Sequence, residues 1–136
     1  MNNYELLLRK HDLKVTPQRV GILSVLQDAG HISIEDLFTI IRKHFSSISI
    51  ATLYKNINSM LEVNLVKEVK IPHSKSKYEI VKYKHSHMTC KKCGKVEDIE
   101  LSLDNVIQDA SKMSGYSFNE NSLILSGTCP ECQKRA

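Results

Sequence analysis

The cysteines of this chain occur as two Cys-x-x-Cys pairs, Cys90 with Cys93 and Cys129 with Cys132. Each pair lies in a turn-like setting, and four thiolates at such spacing suit a tetrahedral zinc ion. The ion would tie the two ends of the second half of the chain together. A thioredoxin-like redox pair is the alternative, but the βαβ pattern that normally surrounds one is missing.

Two histidines, His85 and His87, precede the first cysteine pair. In an extended strand their side chains would share a face, because strand side chains alternate with a period of two. Four cysteines already complete a tetrahedral site, so the histidines belong either to a second site or to the protein surface. The pattern alone places His31 in a loop and gives it no function.

Composition and charge set the class of protein. The chain has 136 residues, of which 41% are hydrophobic and 25% charged, as in a folded globular protein. No basic-then-apolar leader is visible, and no apolar run approaches the roughly 20 residues of a membrane span. We therefore expect a cytoplasmic protein without a membrane partner, where reduced cysteines favour metal binding over disulfides. The net charge of +4 permits a nucleic-acid partner without requiring one.

The first half predicts three helices. Thr16 before Pro17 is typical of a helix start, and Gly30 ends that helix. Ser33 and Ser49 are candidate caps of the second and third helices, of which the second should run to about Phe45. Apolar residues at helical spacing form the predicted buried faces. They are Val20, Leu23, Leu26, Leu37, Ile40, Ile41, Ile50, Leu53, Ile57, Met60 and Leu61.

The third helix has an unusual polar side, formed by Thr52, Lys55, Asn56 and Ser59. This side carries one cation and no carboxylate, which suits a surface that approaches phosphates and base edges. A solvated helix face is the alternative. By this periodicity Tyr54 lies on the border between the polar and apolar sides.

Two extended runs, 65–69 and 78–81, flank a turn-rich loop at 72–76 and predict a hairpin. Three helices followed by a hairpin are typical of a winged helix-turn-helix, so we assign residues 1–82 to a winged-helix DNA-binding domain. The fold class is α+β.

Residues 85–136 predict a small α/β dimerisation domain that binds metal, after a boundary near Lys82 to Lys84. Its elements are a strand over 95–101, a helix capped by Ser102, and a strand over 122–126. So small a unit is expected to pair with a copy of itself. A homodimer would also present two DNA-reading helices to two half-sites.

Several segments together resemble the ferric uptake regulator superfamily, in order and over nearly the whole chain. They are Lys14-Val-Thr-Pro-Gln-Arg19, Gly30-His31 with Glu35-Asp36-Leu37, Ala51-Thr-Leu-Tyr54, His85-x-His87-x-x-Cys90-x-x-Cys93-Gly94-Lys95 with Asp98, and Gly127-x-Cys129-x-x-Cys132. The resemblance implies a metal-dependent transcriptional repressor that binds a palindromic operator in double-stranded DNA as a homodimer. It implies no enzyme activity.

The same resemblance implies roles for individual residues. One structural zinc per subunit would be held by Cys90, Cys93, Cys129 and Cys132. One regulatory Fe(II) or Mn(II) per subunit would be held by His31, Glu79, His85, His87 and Asp98. The candidate DNA-binding residues are Lys14, Arg19, Thr52, Tyr54, Lys55 and Asn56.

Within the superfamily, the pattern is similar to the peroxide-stress branch. Iron and zinc sensors usually carry a further site around the His-x-His, but Lys84 and Ser86 occupy the corresponding positions here. In the peroxide branch, Fe(II) reacts with hydrogen peroxide and a histidine ligand is oxidised, here His31 or His85. Peroxide is then the signal, and no other small-molecule substrate is implied.

One residue departs from that branch, which typically has aspartate where this chain has Glu79, as iron sensors do. A longer carboxylate that binds through both oxygens would fill the position that peroxide needs. An iron-responsive repressor without redox sensing is therefore the alternative function. A metal-dependent oxidoreductase is a remote one, because no cofactor fingerprint or substrate-shaped motif supports it.

Overall fold

The computed structural model describes residues 3–81, 85–119 and 121–135. The chain divides into two units, Met1–Lys82 and Tyr83–Ala136. Its helices and sheets confirm the predicted α+β fold class. The predicted boundary residues Lys82 to Lys84 lie outside the described residues. Across the described ranges, every helix is too short or too polar to cross a membrane.

Four helices build most of the first unit: α1 (Asn3–Lys10), α2 (Pro17–Ala29), α3 (Ile34–Ile41) and α4 (Ile50–Glu62). Three begin at predicted caps, because the hydroxyls of Thr16, Ser33 and Ser49 accept hydrogen bonds from backbone N–H groups of the first helical turn. Gly30 ends α2 with φ of 75°, a conformation that glycine adopts without steric cost. Local capping chemistry thus fixes where these helices begin.

The structure corrects three details of the helix prediction. Helix α1 was not predicted, although its Leu8 is fully buried. Helix α3 ends at Ile41, where the prediction continued to Phe45. Ile50 was assigned to the buried face of α4 but is 43% exposed, because the first turn of the helix extends beyond the core.

A hairpin completes the first unit, as predicted. Strands β1 (Val66–Val69) and β2 (Lys77–Ile80) pair antiparallel. On the other side of β2, Ile32 and Tyr78 exchange two backbone hydrogen bonds. Strand β2 is therefore the central one of three extended segments. Apolar residues from all four helices and the hairpin form the core of this unit, which includes Leu23, Leu37, Leu53, Ile57 and Val66.

The second unit contains β3 (Ser86–Cys90), β4 (Val96–Ile99), α5 (Asp104–Ser114), β5 (Ile124–Gly127) and α6 (Pro130–Lys134). The three strands form a sheet in the order β4-β3-β5, with β3 antiparallel to β4 and parallel to β5. Ser102 does not cap α5, since Leu103 occupies the cap position without a side-chain bond. Helix α6 was not predicted, because five residues are too few to show a helical period.

The two units differ in what they bury. Among the described residues of the first unit, fifteen apolar ones form its core cluster. Among the described residues of the second unit, those in the buried class are Ser86, His87, Cys90 and Cys132. No aliphatic side chain of its described part belongs to that class. The second unit therefore needs a stabilising contribution other than an aliphatic core.

Candidate functional site

The four cysteines converge at one end of the sheet in the second unit. Cys90 is the last residue of β3, and Gly94, with φ of 79°, turns the chain back so that the Cys90 N–H donates to the carbonyl of Lys95. Cys129 is the cap of α6 and Cys132 lies inside that helix. The parallel pairing of β3 with β5 aligns Cys90 with Gly127, which brings the second cysteine pair beside the first.

The donor atoms of this cluster fit a tetrahedral ion. All four are free cysteines, and their Sγ atoms lie within 4.8 Å of one another. The Sγ atoms of Cys93 and Cys129 are 3.9 Å apart. Four sulfurs at about 2.3 Å from a tetrahedral zinc ion would be about 3.8 Å apart. The arrangement is therefore that of a thiolate site for a soft divalent ion.

Electrostatics favour the same chemistry. Hydrogen bonds from the backbone N–H groups of Cys93 and Cys129 lower the pKa of Cys90 to about 5. Hydrogen bonding to Cys129, together with burial, raises the pKa of Cys132 to about 12. The cluster thus holds a ready thiolate at Cys90, and Cys132 would ionise when a cation supplies compensating charge.

A second cluster in the same unit contains His85, His87 and Asp98. His87 lies directly opposite Asp98 in the pairing of β3 with β4. His85 precedes His87 by two residues, and their Nε2 atoms are 3.1 Å apart, so the predicted shared face is confirmed. The Oδ1 atom of Asp98 lies 3.4 Å from Nε2 of His85 and 3.7 Å from Nε2 of His87.

These distances suit metal ligation. Two imidazole nitrogens at about 2.1 Å from one ion, and at right angles to each other, would be about 3.0 Å apart. Histidine nitrogen together with carboxylate oxygen is a donor set for iron or manganese. Ser86, between the two histidines, is buried and 2% exposed. The predicted absence of a further metal site also rests on Lys84, which lies outside the described residues.

In the first unit, His31 and Glu79 form a pair. Glu79 is 3% exposed, and its Oε2 atom lies 2.8 Å from Nε2 of His31. The pairing of Ile32 with Tyr78 makes their neighbours His31 and Glu79 opposite each other on adjacent extended segments. The sequence pattern did not predict that His31 pairs with Glu79, because this contact depends on the register of the strand pairing and not on the residues of the loop itself.

The candidate DNA-binding residues also lie in the first unit. Arg19 donates from Nε to Oδ1 of Asn56 at 3.1 Å and from one terminal nitrogen to the carbonyl of Lys14 at 2.9 Å. Asn56 in turn donates to the carbonyl of Thr52. These bonds fix the segment before α2 against the polar side of α4.

The remaining two candidates are exposed. Tyr54 is 41% exposed, although its periodicity had placed it at the edge of the apolar side, and Lys55 is also exposed. Burial is the main cause of the raised pKa of the neighbouring Tyr78, and the negative charge of Glu68 is the next. The polar side of α4 is thus a surface of hydrogen-bonding groups braced by Arg19.

The chain combines a helical unit that ends in a hairpin, a small mixed unit and two kinds of metal-donor cluster. This combination is that of metal-dependent DNA-binding regulators. The model of the ferric uptake regulator family matches residues 10–126. The chain belongs to the ferric uptake regulator family, as its sequence motifs predicted.

Individual relatives are similar over nearly their full length. The peroxide operon regulator of Bacillus subtilis (strain 168) is 32% identical over 130 residues, which are 94% of this chain and 90% of that one. The peroxide stress regulator of Campylobacter jejuni is 35% identical, with a TM-score of 0.74 and coverage of 97% and 100%. The ferric uptake regulator of Helicobacter pylori is 27% identical, with a TM-score of 0.76 and coverage of 95% and 88%.

Proposed function

We propose that this chain is a metal-dependent transcriptional repressor that senses hydrogen peroxide through oxidation of a histidine ligand. Residues 1–82 would bind a palindromic operator in double-stranded DNA, and residues 85–136 would form the homodimer. Such a protein acts on DNA in the cytoplasm. The observation that carries this proposal is the pair of histidine-carboxylate clusters in a relative of peroxide-responsive regulators.

Two metal assignments belong to the proposal. Cys90, Cys93, Cys129 and Cys132 would hold one structural zinc per subunit. His31 and Glu79 of the first unit, with His85, His87 and Asp98 of the second, would hold one regulatory Fe(II) or Mn(II). A regulatory ion held by both units would favour the domain arrangement that binds DNA, since it binds that arrangement more tightly.

The chemistry of the signal is local to the ligands. Bound Fe(II) supplies the one-electron chemistry that activates hydrogen peroxide. In the net reaction, one peroxide oxygen would be inserted into an imidazole C–H bond of His31 or His85, and the other oxygen would leave as water with both peroxide hydrogens. Modification of the ring weakens it as a ligand, so the regulatory ion is lost and repression ends.

Mass analysis tests the sensing step. The Fe(II)-loaded protein is treated with micromolar peroxide, digested, and its peptides are weighed. We expect one added oxygen on the peptide with His31 or His85 and loss of operator binding. The Mn(II)-loaded protein is the control, and its peptides should stay unmodified. Unmodified histidines with retained operator binding in the Fe(II) protein would contradict peroxide sensing.

An iron-responsive repressor without redox sensing is the second candidate, and Glu79 favours it. Its expected result in the same experiment is metal-dependent operator binding that peroxide does not affect. Steady consumption of many equivalents of peroxide would instead support an oxidoreductase.

Salt dependence tests the DNA interface separately. A dimer that neutralises roughly 6–10 phosphates loses about 10³–10⁵ in affinity between 50 and 200 mM salt. An affinity that does not change with salt would contradict the assignment of residues 1–82 to a winged-helix DNA-binding domain.

A further inference from the structure

Glu79 lies between two basic side chains on one face of the hairpin. In the antiparallel pairing of β1 with β2, Lys67 is directly opposite Glu79. On the other edge of β2, the pairing of Ile32 with Tyr78 places His31 opposite Glu79. Directly opposed residues of neighbouring antiparallel strands point to the same face. The carboxylate therefore has a cation or imidazole on either side.

The two neighbours contact different oxygens of the carboxylate. Nε2 of His31 lies 2.8 Å from Oε2, whereas Nζ of Lys67 lies 3.5 Å from Oε1. The side chain of Glu79 is 4% exposed, while that of Lys67 is 40% exposed. A buried carboxylate needs partners that compensate its charge, and the Lys67 ammonium is such a partner beside Oε1.

We propose that Lys67 is a positioning residue that reserves Oε1 of Glu79, so that Glu79 offers one oxygen, Oε2, to the regulatory metal. This inference rests on the proposed function, in which Glu79 is a ligand. The longer side chain of Glu79 could bind the metal through both oxygens and so fill the position that peroxide needs. A lysine that holds one of the two oxygens would prevent this. A coordination position then stays open for peroxide.

The strand pairing explains why Lys67 can do this. Its backbone is fixed opposite Glu79 by the β1–β2 ladder, so its ammonium reaches the carboxylate from the side away from His31. Its neighbour Glu68 lies on the alternate face of the strand and is exposed. Lys67 also places a positive charge beside the ligand cluster, which should weaken the binding of a divalent cation.

Cobalt(II) is the probe for the test, because five-coordinate Co(II) absorbs visible light more strongly than six-coordinate Co(II). The full-length zinc-loaded protein is titrated with Co(II) as wild type, Lys67→Met and Lys67→Arg. Lys67→Met frees Oε1, so we expect weaker absorption per bound Co(II) and tighter binding. Lys67→Arg keeps the cation and should resemble the wild type.

Two further variants make the test specific. Lys75→Met removes a lysine charge from an exposed pair with Glu35 in the same unit and should leave the Co(II) spectrum unchanged. Lys67→Thr, which suits a strand, replaces Lys67→Met if the latter folds poorly. A Co(II) spectrum and affinity that stay at wild-type values in both Lys67→Met and Lys67→Thr would refute the inference.

The peroxide experiment separates this inference from the proposed function. In Fe(II)-loaded Lys67→Met, histidine oxidation should slow about 10–100-fold, the range found for residues that orient a metal ligand. If wild type is not oxidised at all while Lys67→Met still changes the Co(II) spectrum, peroxide sensing is wrong and the role of Lys67 stands. If wild type is oxidised and Lys67→Met is oxidised equally fast with an unchanged spectrum, the role of Lys67 is wrong.

Discussion

Replacement of Cys93 by serine should unfold the second unit and leave the first one folded. Cys93 is exposed, so its replacement takes away a proposed zinc ligand with little loss of packing. Lys92→Ala, in the same exposed turn, is the matched control and should change neither zinc content nor folding.

The magnitude follows from what each unit buries. Structural zinc contributes about 10–16 kcal/mol at neutral pH, whereas an entire domain is stable by about 5–15 kcal/mol. The described residues of the second unit lack a buried aliphatic core, while the first unit has a cluster of fifteen apolar residues. Loss of the ion should therefore remove all of the stability of the second unit and little of that of the first.

Two measurements check this prediction. In an amide nitrogen-proton NMR spectrum of Cys93→Ser treated with a chelator, signals of the second unit should collapse while those of the first stay dispersed. The remaining urea transition should have a slope of at least about 0.6 of that for the whole chain but below the full value, since the first unit has 82 of the 136 residues and the larger apolar core. Dispersed signals from a metal-free second unit, or joint unfolding of both units, would refute the reasoning.

Two other substitutions test the first unit. Gly21→Ala should lower the free energy of unfolding by about 1 kcal/mol in urea denaturation. A Cβ at Gly21 would lie 2.8 Å from the ring of Phe45. Such overpacking typically costs about 1–3 kcal/mol, which exceeds the roughly 1 kcal/mol gained from the better helix propensity of alanine. In a Phe45→Leu background, Gly21→Ala should no longer lower the free energy of unfolding. An unchanged loss in that background would show that the ring is not its cause. Arg19→Leu should weaken operator binding by at least the roughly 0.5–1.5 kcal/mol of one hydrogen bond, measured by fluorescence anisotropy, because it releases Asn56 from its bond to the Nε of Arg19. Asn56→Ala should then weaken operator binding less in the Arg19→Leu background than in the wild type. Fully additive losses of binding free energy would contradict a bracing role for Arg19.

The sequence predicted features that depend on local chemistry. Thr16, Ser33 and Ser49 cap helices because a short polar side chain reaches the backbone of its own first turn. The four cysteines could be grouped because their spacing and residue type allow few other functions. Helix α1 escaped prediction since its three consecutive leucines, Leu6 to Leu8, show no helical period over so short a segment.

Features that depend on pairing between distant segments could not be predicted from the residues alone. His31 reaches Glu79 only because Ile32 bonds to Tyr78, and Lys67 reaches it only through the register of the hairpin. Family resemblance supplied His31 and Glu79 as candidates, but not Lys67. A register is set by the whole core, so its consequences appear only in three dimensions.

The parallel pairing of β3 with β5 has a consequence for folding kinetics. His87 pairs with Ile124, and the residues between them include β4 and α5, so this contact closes a long loop and should form slowly. Cys90 ends β3 and Cys129 follows β5, so strand alignment and capture of the ion bring the same segments together. The rate at which the second unit matures should therefore rise with the supply of zinc, which would make zinc availability a kinetic limit on how fast newly made chains become competent to dimerise.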